Sequence, residues 1–277
     1  MKLSKANQFS SWLLTGLLAL GALTILIPMY FAFVTALKAP SEMRGNLWAL
    51  PENWLWSNFA DAAEATDFFR ALANSLLVTV CAIGLVIITN SLVGYAIARN
   101  LHKKLYKGMF IYFLTALFIP FPIVMLPLVK EMAFLKLDNL AGLILLYVVY
   151  NLSFNVLLYV GYMQTIPVSL EEAAMLDGAG PFTTFWRVVF PLMLPVNATV
   201  AILTGLWVWN DFMLPLVLLS DPNSFTLPLV QNVLQGQYTS QYNLLFASYI
   251  MAMTPMLIIY LLFQKWIIGG VMRGAIR

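Results

Sequence analysis

The sequence predicts an all-α membrane protein with six transmembrane helices and a short cytoplasmic helix between the fourth and fifth. Three observations support this. Of 277 residues, 61% are hydrophobic and 10% charged, whereas soluble domains carry about 25% charged residues. Six windows, at 12–37, 72–98, 109–129, 140–163, 192–219 and 246–268, are apolar and long enough for helices that need about 20 residues to cross about 30 Å of hydrocarbon. No stretch alternates apolar and polar residues as a membrane-barrel strand of about 10 residues would.

The first window follows Lys2 and Lys5 without a small-residue cleavage site after a short apolar run, so it is expected to be retained as a span. Between the first two spans lies the longest polar interval, with Trp48, Trp54 and Trp56. Such rings suit the membrane-water interface, and contact with an external protein is the alternative. The second span contains Asn74, Ser75, Asn90 and Ser91, and the single cysteine, Cys81, lies in its middle. A lone buried thiol is inert.

The third span holds Pro120, Pro122 and Pro127 and should be kinked, since proline removes a donor and bends a helix. In the fourth, Asn151 and Asn155 stand four residues apart and share a face. They serve either interhelical hydrogen bonding or a substrate. The fifth span ends in "LWVWNDFMLPL", where Asp211 is the one carboxylate left embedded. An acid at that depth is a functional candidate, and a structural partner is the alternative.

Lys and Arg set the orientation. With the N-terminus inside, inner segments hold Lys2, Lys5, Arg99, Lys103, Lys104, Lys107, Arg187, Lys265, Arg273 and Arg277, against Lys38, Arg44, Arg70, Lys130 and Lys136 outside, 10 against 5. Both termini are therefore expected in the cytoplasm. The net charge of +3 averages two unlike faces and points to no nucleic-acid partner. With His102 as the one histidine, no zinc ligand set can be assembled.

The interval 164–191 then faces the cytoplasm. Ser169 and Glu172 form S-x-x-E, in which a serine caps the helix and the acid returns a bond, so a helix is expected from Leu170. Glu171 and Glu172 complement the helix dipole in its first turn, and Gly178 after Asp177 suits a left-handed stop. A helix of about eight residues is marginal alone and must lean on something. Pro181 opens a second segment, "FTTFWRVVF", which runs to Pro191. The pair either packs on its own bundle or presents a knob to another protein.

The run "EEAAMLDGAGPFTTFWRVVFPLMLP" resembles the E-A-A, three residues, G, nine residues, I-x-L-P signature of membrane subunits of binding-protein-dependent ABC importers. Glu172, Ala173, Ala174, Gly178 and Pro191 match at that spacing, with Val188 and Phe190 in place of Ile and Leu. "NSLLVT", "GYAIAR", "WNDFMLPLVLL", "TLPL" and the tail "FQKWIIGGVMRGAIR" look like the carbohydrate-uptake permeases, in particular the smaller membrane subunit of the maltose importer. Gly274, Ala275 and Ile276 echo that family's tail, but Arg277 ends it without the final glycine.

The resemblance implies a non-catalytic permease in a bacterial or archaeal inner membrane, forming half of a sugar path with a second permease. It also implies two cytoplasmic ATPase subunits and an external solute-binding protein, the latter docking on the first outer loop and on 220–243. Glu171, Glu172, Ala173, Ala174, Met175, Leu176, Asp177 and Gly178, with Pro191, would form the coupling element. ATP and Mg would belong to the ATPase partner; independently, the sequence lacks a G-x-x-x-x-G-K-[ST] phosphate loop.

Sugars present hydroxyls and apolar C–H faces, so a site combines amides with aromatic planes. Tyr150, Asn151, Asn155, Trp207, Trp209 and Asn210, with Asp211, are the candidates for the substrate path. Sugar phosphates or polyols are alternative cargoes. An ion-coupled secondary transporter is the rival class, and it would have to build its relay on Asp211 alone.

Overall fold

The computed structural model describes residues 5–46, 48–237 and 241–275. Among these, every regular element is helical. Among the described residues, four helices are long and apolar enough to cross a membrane, and two bent helix pairs bring the count to six if each pair is one crossing. The chain divides into two compact units, one of Met1–Phe68 with Gln231–Pro255 and one of Phe69–Val230 with Met256–Arg277.

In the first unit, α1 (Lys5–Ala36) leaves its apolar side chains exposed from Leu14 to Tyr30, as suits a helix surrounded by lipid or by another subunit. Its last turn is buried at Val34 and Ala36, and Leu37 just after it is buried too. There the carbonyls of Ala36 and Lys38 accept from Asn58 Nδ2 at 2.8 and 3.0 Å, so α2 (Ser57–Ala65) satisfies groups that a helix end leaves open. Asn243 Nδ2 donates to Asn58 Oδ1 at 3.1 Å, tying in the start of the last helix (Tyr242–Ala275). Phe31 packs against Trp48 and Phe246 at 5.4 and 5.5 Å. Trp48, Trp54 and Trp56 remain largely exposed.

The second unit contains α3 (Phe68–Arg99) from its second residue, α4 (Lys104–Ala116), α5 (Phe121–Phe134) and α6 (Leu140–Met163). The expected fourth span and α6 have the same bounds. Asn139 caps α6, its side chain accepting from the N–H groups of Ala141 and Gly142 at 3.0 and 3.2 Å.

Two spans are more broken than expected. Where the sequence suggested one kinked span at 109–129, α4 and α5 meet at 105°. Pro120 stands in extended backbone as the cap of α5; it has no N–H for the preceding turn and turns Ile119 away from helix.

The continuous span expected at 192–219 is instead α10 (Leu194–Asn210) followed by α11 (Met213–Leu218). Asp211 between them is extended. Its carboxylate accepts from the Met213 N–H at 3.1 Å, a local bond that competes with helix. Pro215 cannot donate to the Asp211 carbonyl and would clash with it in a continuing helix. At the other end, Pro181–Leu192 and Leu194–Asn210 form the second bent pair, at 75°.

Candidate functional site

Within 164–191, α7 (Ser169–Leu176) begins one residue earlier than expected. The Ser169 box does not form: Val168 occupies the cap position with helical backbone and no side-chain cap. The N–H groups of Glu171 and Glu172 bond to the Val168 carbonyl at 2.9 and 3.1 Å, and Leu170 N–H to that of Pro167 at 3.3 Å. Pro167, with its fixed φ, starts the turn that the serine was expected to start.

The stop is as anticipated. Gly178 has φ +87°, its N–H bonds to the Met175 carbonyl at 3.0 Å, and Ala179 N–H bonds to the Ala174 carbonyl at 2.9 Å. These two bonds make the paired cap of a left-handed helix end.

The two adjacent glutamates face opposite ways. Glu171 is 4% exposed. Its Oε1 accepts from Arg99 Nε at 2.7 Å and its Oε2 from the Tyr95 hydroxyl at 2.8 Å. Arg99 Nη2 lies 2.6 Å from Oε1. The same guanidinium donates through Nη1 to the Met163 carbonyl at 3.2 Å and through Nη2 to that of Ile166 at 3.0 Å.

Glu172, Ala173, Met175, Leu176 and Asp177 are exposed, and Ala174 is half-buried. Leu176 is 89% exposed. An acid, an alanine and two large apolar side chains thus form an open surface on a helix held down through its other face.

The second segment is α8 (Pro181–Thr184), a π-helical stretch Phe185–Val189, and α9 (Phe190–Leu192). Pro191 cannot donate to the Arg187 carbonyl, and the widened turn, in which Phe190 N–H reaches the Phe185 carbonyl, relieves the clash. Phe185, Val189 and Met193 are buried with Val86, Tyr159 and Met163. The Tyr95 and Phe185 rings lie 5.1 Å apart. Pro191 itself is exposed, so its contribution is to the backbone course.

Along α6, Tyr147, Asn151, Asn155 and Tyr159 recur every four residues and form one polar stripe. Three of them meet α10 or its end. The Tyr159 hydroxyl donates to Asn197 Oδ1 at 2.9 Å, Thr204 Oγ1 donates to Asn151 Oδ1 at 3.3 Å, and the Tyr147 hydroxyl donates to Asp211 Oδ2 at 3.0 Å. Asn151 Nδ2 is bonded to the Tyr147 carbonyl at 2.8 Å.

The residues expected along a substrate path have the following partners in this structure. Asn151 and Asp211 belong to the seam, and Trp207 stacks edge-on with Tyr147 at 5.4 Å. Trp209 and Asn155 are buried. Tyr150 packs on Phe121 at 5.8 Å, and Asn210 turns its amide to the Leu206 carbonyl at 2.7 Å. Both carboxylate oxygens of Asp211 are engaged, which favours the structural reading of that acid. Ile276 and Arg277 of the tail lie outside the described residues.

Sequence reasoning missed Tyr95 and Arg99 as members of the loop site. They stand four residues apart at the end of α3, a spacing that places them on one face. That, together with a base in a last helical turn, was the available signal.

A family model described as "Binding-protein-dependent transport system inner membrane component" matches residues 90–273. The chain is 37% identical to the multiple sugar-binding transport system permease protein MsmG of Streptococcus mutans, over 100% of this chain and 99% of that one. It is 34% identical to the probable starch degradation products transport system permease protein AmyC of Thermoanaerobacterium thermosulfurigenes, over 96% and 97%. It is similar in fold to a crystal structure of a bacterial ABC transporter involved in the import of the acidic polysaccharide alginate. There the TM-score is 0.79 and the identity 22%, with 96% of this chain and 99% of that chain covered.

Proposed function

Because the chain belongs to the family of binding-protein-dependent transport system inner membrane components, we propose that it is half of the membrane path of an ATP-driven sugar or oligosaccharide importer. In this reading α7 is the element through which a separate ATPase moves it. The single observation that carries the coupling role is the division of α7 into two faces: Glu171 is bonded into the chain's own helices, while Glu172, Met175 and Leu176 stand open. A helix fixed on one side and bare on the other can pass a push from a docked subunit to the spans. The left-handed stop at Gly178 sets where that open surface ends.

The cargo is proposed from the relatives, whose names specify multiple sugars and starch degradation products. An external solute-binding protein is proposed from the family description. It would dock on the outer loop with Trp48, Trp54 and Trp56 and on the segment 220–243, of which 238–240 lie outside the described residues. A second, related permease would complete the path, and the exposed apolar length of α1 is free for it or for lipid. ATP and Mg would be held by the two ATPase subunits, and both termini of this chain would lie on the ATPase side.

The test is purification of the chain with its neighbouring subunits in lipid nanodiscs. The proposal expects the ATPase to co-purify and its hydrolysis to rise when sugar-loaded binding protein is added. Sugar uptake that persists without ATP, driven by an ion gradient, would replace this account with the secondary-transporter reading.

A further inference from the structure

We infer that Arg99 and Glu171 are positioning residues that send the movement of α7 into the second span, in addition to the path along the chain into the fourth and fifth. The inference rests on α7 being the coupling element and adds where its force goes.

One guanidinium joins three separate pieces of chain. Arg99 ends α3. Its Nε and Nη2 reach Glu171 at 2.7 and 2.6 Å, and its Nη1 and Nη2 reach the carbonyls of Met163 and Ile166, at and just after the end of α6, at 3.2 and 3.0 Å. The Met163 carbonyl also accepts from the Ile166 N–H at 3.2 Å, so Arg99 bonds to the turn that closes one span while belonging to another.

Tyr95, one turn earlier on α3, donates to the second carboxylate oxygen at 2.8 Å and packs at a tilt against Phe185 of the following segment. One further residue back, a side chain at Gly94 would have its Cβ 2.4 Å from Tyr159 Cβ, so α3 and α6 are in backbone-close contact beside the clamp.

The planar guanidinium fixes direction as well as distance, because its donors have a set fork geometry that lysine lacks. Glu171 is also the one buried acidic side chain among the described residues. A buried pair left with one partner is heavily penalised, whereas an apolar pair of similar volume is often tolerated. This difference gives a discriminating test.

In the complete importer, reconstituted in proteoliposomes with its binding protein, sugar taken up per ATP hydrolysed is measured for Glu171→Gln, Arg99→Met, Glu171→Leu and the double variant Arg99→Met/Glu171→Leu. Glu171→Gln, which keeps the shape of the side chain, is expected to lower uptake per ATP about threefold. The two apolar single variants should lower it about tenfold, and the double variant should recover to within about threefold of the unmodified importer.

ATPase co-purification is scored in parallel. It should stay unchanged for Glu171→Gln, since that side chain faces inward. Unchanged uptake per ATP in all single variants, or a double variant no better than the worse single, would overturn the inference while leaving α7 as the docking element. Loss of the ATPase from the Glu171→Gln complex would also overturn it, by assigning Glu171 to the partner contact. Failure of the underlying coupling reading looks different: the ATPase would then be absent from the unmodified complex.

Discussion

The hydroxyl of Tyr147 donates to the carboxylate of Asp211 at 3.0 Å, joining the fourth span to the break in the fifth. Asp211 also holds the N–H of Met213. The acid that the sequence marked as a possible ion relay is thereby occupied as a latch. Tyr147→Phe should lower stability by about 1.5–3 kcal/mol, the range for a hydrogen bond to a charged group. A double-mutant cycle with Asp211→Asn, read by thermal unfolding in detergent, should give a coupling energy of about 0.5–2 kcal/mol. Additive effects would show that the latch contributes nothing.

Gly178→Val should damage α7 without preventing insertion. The residue sits at φ +87°, where a β-branched side chain costs about 1–3 kcal/mol. With the stop strained, the surface carrying Met175 and Leu176 is misplaced. Co-purified ATPase and sugar-stimulated hydrolysis should both fall several-fold, with protein in the membrane fraction unchanged. Normal values of both would remove the turn from the mechanism.

Leu176→Asp separates docking from folding. At 89% exposure the side chain contributes little to the free chain, and a surface change of this kind shifts stability by about 0.5 kcal/mol or less. In a docked interface the same change buries a charge. ATPase retention should drop about tenfold at constant melting temperature, and a parallel fall in melting temperature would assign Leu176 to the chain's own packing.

Gly94→Val probes the seam behind the loop. Its Cβ would stand 2.4 Å from Tyr159 Cβ, so the helices must part. Overpacking of this type costs about 1–3 kcal/mol. Thermal unfolding should show a drop of several degrees; an unaltered transition would mean that α3 and α6 are less closely seated than described.

Much of this was legible because it is local. The helix at 140–163 has the bounds of its apolar run because Asn139, a ready cap, flanks it, and Gly178 stands out because few residues tolerate its backbone. The bend near Pro120 was expected in kind, though not its size of 105°, which depends on packing as well as on proline. The break at Asp211 was missed because apolar composition continues across it; the signs were Pro215, four residues on, and a carboxylate able to bond its own backbone. The S-x-x-E pattern marks Ser169 as a cap but takes no account of Pro167, which begins the turn sooner.

The roles of the two glutamates could not be read from their neighbours. Glu171 and Glu172 look alike in sequence, and what distinguishes them is Arg99, 72 residues earlier. A long-range pair of that kind leaves no periodic signal. The polar stripe on α6 is half visible in the sequence: Asn151 and Asn155 stand out as amides, whereas nothing in an apolar run singles out Tyr147 and Tyr159, which bond across to Asp211 and Asn197.

The central claim, that the open face of α7 receives an ATPase, is tested most directly by crosslinking. With the native Cys81 replaced by serine, a cysteine at Ala173, which is exposed on that face, should form a short-reach crosslink to the ATPase subunit in actively importing vesicles. A cysteine at Asn74, at the opposite end of α3, should form none. No crosslink from Ala173 under conditions where sugar uptake proceeds would contradict the account.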